Sequence, residues 1–127
     1  MGEGCGIFSF NRHNDSVWDP DSNAERSAEE HEAIWFQRSC NTMVHEIGHM
    51  FGLKHCIHYE CLMNGSNGSW ESERNKNNIL CAVCLTKLKI NAKFDCRERY
   101  QNLVEACTEL GFTGQAEKYA QVLANVR

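Results

Sequence analysis

The sequence predicts a single α+β domain that is mainly helical, with one short strand at its N-terminal edge. Three observations carry this expectation. A capping box, Ser27-Ala28-Glu29-Glu30, opens a long helical pattern; the tail holds two further helical patterns; and an isolated apolar run, Gly6-Ile7-Phe8-Ser9-Phe10, reads as a strand. A length of 127 residues suits one domain. A formal charge of −4 and a pI near 5.8 leave no basic footprint for nucleic acid or for an anionic membrane. No apolar run approaches the length of a transmembrane helix.

Taken in order, residues 11–26 are polar, contain the only proline (Pro20) and read as a loop. From Ser27, apolar residues at Ile34, Cys40, Val44, Ile47 and Phe51 mark a long helix that ends near Gly52. Residues 64–78 are rich in Gly, Asn and Ser and lack periodicity, so a loop is expected. Residues 94–110 and 115–126 read as two helices joined at Gly111-Phe112-Thr113-Gly114. In the first of them Tyr100, Leu103, Val104, Cys107 and Leu110 form one apolar face, expected to pack against the domain. His13, His31 and His58 are expected on the surface.

The chemistry is concentrated in His45-Glu46-Ile47-Gly48-His49-Met50-Phe51-Gly52-Leu53-Lys54-His55, an H-E-x-x-H-x-x-G-x-x-H pattern. Positions i and i+4 share a helix face, so His45 and His49 present their imidazoles to one point. A catalytic zinc takes three protein ligands and keeps a fourth position open. His55 becomes the third ligand only if the chain turns back, and Gly52 permits this because glycine accepts the left-handed conformation that ends a helix. Glu46 is placed to take a proton from the water that such a site activates.

Eight cysteines are present, and four fall in two close pairs: Cys56-x4-Cys61 and Cys81-x-x-Cys84. Four thiolates spaced this way match a closed tetrahedral structural zinc site. The rival readings are a redox C-x-x-C, which would want a thioredoxin-like βαβ context, and two disulfides. The N-terminus has neither the basic nor the apolar region of a signal peptide, so a reducing compartment with free thiols is expected. Cys40, Cys96 and Cys107 lie among helix formers and are expected to be small buried hydrophobes. Cys5 has no assigned role.

With Met63 two residues after Cys61 and Lys87 three after Cys84, residues 45–87 resemble the archaemetzincin (archaelysin) family of zinc metallopeptidases motif by motif. The resemblance implies a zincin/metzincin-like fold. It implies His45, His49 and His55 on a catalytic zinc, Glu46 as general base, and Met63 in the Met-turn beneath the metal. Cys56, Cys61, Cys81 and Cys84 would hold a second, structural zinc, giving two zinc ions per chain. The expected organisation is 1–26 as edge strand and loop, then 27–55 as active-site helix and third ligand. Residues 56–91 follow as Met-turn and four-cysteine loop, and 92–127 as C-terminal helices.

The expected activity is zinc-dependent hydrolysis of a peptide or protein substrate, by an intracellular, cytoplasmic or nuclear protein that is not secreted. Only 44 residues precede His45, where a metzincin carries a several-stranded upper subdomain, so a shortened form is expected, with Phe8, Phe10, Trp35 and Phe36 more exposed than in a complete domain. The competing reading is a catalytically inactive, zinc-stapled interaction module. Substrate preference, endo- versus aminopeptidase action and oligomeric state have no sequence signal.

Overall fold

The computed structural model describes residues 6, 7, 9–13, 26–65 and 78–126. Among them, a 3-10 turn at Asn11–His13 precedes four helices: α1 (Ala28–Met50), α2 (Ala82–Ala92), α3 (Cys96–Glu109) and α4 (Thr113–Asn125).

Helix α1 starts where the capping box predicts. Ser27 Oγ accepts the Glu30 amide at 3.2 Å, and Glu30 Oε2 accepts the Ser27 amide at 2.8 Å, so two otherwise orphaned donors are satisfied. It ends in a Schellman turn: Gly52 adopts φ +82°, its amide reaches His49 O at 2.9 Å, and the Leu53 amide reaches Gly48 O at 3.1 Å. The reversal drives Leu53 into a small core with Cys56, Cys61, Met63, Leu80 and Cys84.

Residues 56–91 read as turn and loop, yet Ala82–Ala92 is helical. Its N-cap is Cys81, whose sulfur accepts the Cys84 amide at 3.5 Å, and Leu85 and Leu88 pack on the first core. Asn91 Nδ2 donates to Phe51 O at 2.8 Å, tying the end of α2 to the end of α1. Helices α3 and α4 follow the expected tail pattern and build a second core from Tyr100, Cys107, Ala116 and Tyr119. Phe36 of α1 meets Phe112 in the α3–α4 turn, with ring centroids 5.7 Å apart. The Tyr119 hydroxyl donates to Asn78 O at 2.7 Å, holding the segment that leads into the first core.

The expected N-terminal strand is not seen among the described residues. Gly6, Ile7, Ser9 and Phe10 are irregular, and no strand pairing exists among the described residues. A run without a partner has no ladder to join. Phe10 O instead accepts the Trp35 indole N–H at 3.0 Å, and Ile7 is almost fully exposed. Trp35 and Phe36 are exposed, Phe10 is half-buried, and Phe8 lies outside the described residues. So do Cys5, residues 14–25 of the first expected loop and 66–77 of the second. No helix among the described residues is long and apolar enough to cross a membrane.

Candidate metal centre

Two groups of metal-ligating side chains stand out, and they share one stretch of chain. His45, His49 and His55 bring a nitrogen each within 4.8 Å of one another, as do the sulfurs of Cys56, Cys61, Cys81 and Cys84. His55 and Cys56 are adjacent, so one segment serves both groups.

The first two histidines lie one turn apart on α1. Each donates from Nδ1 to a backbone carbonyl at 2.7 Å, His45 to Leu62 O and His49 to Leu53 O. A carbonyl only accepts, so Nδ1 carries the proton and Nε2 keeps its lone pair, the tautomer of a metal-ligating imidazole. The two Nε2 atoms face each other at 3.1 Å. Two lone pairs at that separation repel unless a cation lies between them. Nitrogens bound tetrahedrally at zinc's usual bond length would stand about 3.3 Å apart, so the pair fits that ion. The His55 ring closes the group, with its centroid 5.4 Å from His45 and 4.9 Å from His49.

His45 and His55 open onto a groove of about 720 Å³. His45, Glu46 and His55 line it, together with His13 and Thr42 on one side and Leu62, Asn64 and Phe112 on others. Glu46 is the one carboxylate among the described lining residues. His13 is half-buried rather than on the surface, because its Nε2 lies 2.9 Å from Thr42 Oγ1. His31 also departs from the surface expectation, with Nε2 buried and without a hydrogen-bond partner among the described residues.

In the sulfur group, Cys56, Cys61 and Cys84 are buried and Cys81 is half-buried; all four are free thiols. Cys61 Sγ accepts the Cys81 amide at 3.3 Å and the Met63 amide at 3.5 Å. The amide of His58 pulls the Cys56 thiol down to about 7 against the effect of burial, with help from that of Tyr59. Burial pushes the Cys61 and Cys84 thiols up. Buried thiols that resist ionisation become thiolates when a divalent cation supplies the opposite charge, and the amides aimed at sulfur favour the same state. The donor set therefore fits zinc. His58 is exposed and contributes its amide, not its ring. Lys87 is exposed on α2 and makes no ion pair with this group among the described residues. Of the remaining cysteines, Cys107 is buried, whereas Cys40 and Cys96 are only half-buried.

Met63 occupies a tight turn closed by Asn64 N–H to Cys61 O at 2.9 Å, and it is 0% exposed. Its thioether lies against Gly48 of α1, where a Cβ would come within 2.5 Å of Sδ. Sequence reasoning missed Gly48, Gly65, Asn64 and the carbonyls of Leu53 and Leu62. None carries a periodic or compositional signal, since each matters through a neighbour distant in sequence.

The chain is similar to archaemetzincin-2 of Mus musculus, 45% identical over 86 residues that make up 64% of this chain and 24% of that protein. It is 49% identical to archaemetzincin-2 of Homo sapiens over 72 residues, 57% of this chain and 20% of that one. The archaemetzincin of Sulfolobus acidocaldarius is 39% identical over 61 residues, 48% of this chain and 34% of its own length. This chain thus spans a quarter or less of the archaemetzincin-2 proteins, and no solved structure is a significant match. The model of peptidase family M54 matches residues 23–90, more than half of the sequence and both ligand groups, so the chain belongs to peptidase family M54.

Proposed function

We propose that this chain carries the metal centre of a zinc-dependent peptide hydrolase of zincin/metzincin type, with two zinc ions: a catalytic one on His45, His49 and His55, and a structural one on Cys56, Cys61, Cys81 and Cys84. The observation that carries the reading is the His45–His49 pair, with both Nδ1 atoms committed to carbonyls and both Nε2 atoms facing each other at 3.1 Å. Zinc, when bound, supplies Lewis acidity and lowers the pKa of water it takes up toward about 7.

The residues of the chain do the rest. His45 and His49 stay aimed because Leu62 O and Leu53 O hold their Nδ1 protons, which leaves Nε2 of each ring for the metal. Glu46 follows His45 on α1 and lines the same groove, which suits its carboxylate to accept a proton from the attacking water and return it to the departing amine. The groove takes an extended peptide beside that carboxylate. Met63 acts as the methionine of the Met-turn, a packed floor under α1 at Gly48. Gly52 turns the chain so that His55 returns to the other two histidines. The four cysteines hold the segment that bears His55.

Peptide hydrolysis by the purified chain should disappear with a chelator and return with added zinc. Glu46→Ala should abolish turnover while leaving zinc bound. Hydrolysis by Glu46→Ala at the parent rate would remove Glu46 from this role.

A further inference from the structure

The three histidines are not held alike. His45 and His49 are each fixed by a carbonyl on Nδ1, whereas the exposed His55 ring makes no hydrogen bond among the described residues. An exposed imidazole without an anchor samples several rotamers, and ordering it costs side-chain entropy when a metal binds. Among the described residues, Gly65 lies against the face of His55 that the other two histidines leave open. A Cβ built on Gly65 would lie 2.8 Å from His55 Nδ1, 3.1 Å from Cε1 and 3.2 Å from Cγ. Nε2 is not among these nearest atoms, so that nitrogen is the one turned away from Gly65. The φ of Gly65 is not in the left-handed region; the position needs glycine for space alone.

Gly65 is itself held in place by Asn64. The Asn64 carboxamide accepts the Cys61 amide at 2.8 Å and donates to Cys56 O at 2.6 Å and Tyr59 O at 2.8 Å. One side chain thereby stitches shut the loop between the two cysteines that follow His55, and carries Gly65 against the imidazole.

We propose that Asn64 and Gly65 are positioning residues for the third histidine: Asn64 locks Gly65 to the cysteine loop, and Gly65 leaves the slot that aims His55 at the His45–His49 pair. The inference rests on the zinc reading of the three histidines and extends it to residues that are not themselves ligands. A methyl group at position 65 occupies the place of the ring and must displace it. Loss of a partner that orients a ligand typically weakens metal binding about 10–100-fold.

The test is zinc affinity, measured on the whole chain by competition with a chromophoric chelator. The step lost in His49→Ala identifies the histidine group, and the thiolate-to-cobalt charge-transfer band of cobalt-loaded protein reports the cysteine group. Gly65→Ala should weaken the histidine step about 10–100-fold and leave the thiolate band unchanged. Asn64→Ala should weaken the same step. Parent-like affinity in both variants overturns the proposal, and so does loss of the thiolate band together with the histidine step in Gly65→Ala. A parent whose zinc binding is indifferent to His49→Ala would overturn the metal-centre reading itself, a result distinct from either.

Discussion

Gly48 offers a sharp test of the packing beneath the histidines. In an exposed helix interior, Gly→Ala stabilises by about 1 kcal/mol through helix propensity. At Gly48 the new Cβ would meet Met63 Sδ at 2.5 Å and Cε at 3.1 Å, against ordinary contacts of about 3.5–4.0 Å. Met63 is 0% exposed, so its end has no open space to swing into. Overpacking a core costs about 1–3 kcal/mol, and with both terminal atoms displaced the upper part of that range applies. After the propensity gain, Gly48→Ala should destabilise by about 1–2 kcal/mol, or roughly 4–8 °C in Tm for a chain of this size. The sign should reverse in a Met63→Ala background, where the clashing atoms are gone and the methyl fills part of the cavity. Urea unfolding of the four proteins at one fixed free zinc concentration, kept in excess so that the weaker variants remain folded, measures the cycle. An equal cost for Gly48→Ala in both backgrounds would refute the contact as its cause.

Ser27→Ala removes one arm of the capping box and should cost about 1 kcal/mol, read as a lower unfolding midpoint with α1 fraying at its start; an unchanged midpoint would mean that the cap contributes nothing. Asp95 caps α3 by accepting the Glu98 amide at 2.9 Å, and this bond holds its carboxyl below the ordinary 3.8. A depressed folded-state pKa stabilises above the unfolded value and loses that contribution as pH falls through the folded one. The Tm advantage of the parent over Asp95→Asn should therefore be constant near neutrality and shrink below about pH 4. A difference that persists unchanged into strong acid would assign the effect to something other than the charge.

Helix α1 was legible because its signals are local. Ser27 and Glu30 are three residues apart, and the apolar positions recur within the helix they define. The tail helices were legible for the same reason, and Cys96–Glu109 and Thr113–Asn125 lie within about two residues of the expected bounds. Helix α2 was not, since a cysteine N-cap is no standard start signal and its apolar residues, Val83, Leu85, Leu88 and Ile90, form no clean stripe. Packing of Leu85 and Leu88 on the first core supports it instead. The run at residues 6–10 has strand composition, but a strand exists only in a sheet, and pairing is not a property of one segment.

The same division runs through the candidate site. The residue types and their spacing follow from the sequence alone: a histidine pair one turn apart, a glycine able to reverse the chain, and two close pairs of thiols. Tertiary structure decided which nitrogen of each ring is free, because Leu53 O and Leu62 O reach Nδ1 only after the chain has folded back. It decided that Gly48 and Gly65 must lack a side chain, because Met63 and His55 come to occupy that space. It also brought His13 from a distant segment to Thr42 at the groove. Periodicity and capping act between near neighbours and can be read along a line, whereas steric exclusion and tautomer choice depend on atoms that only folding brings within a few ångströms.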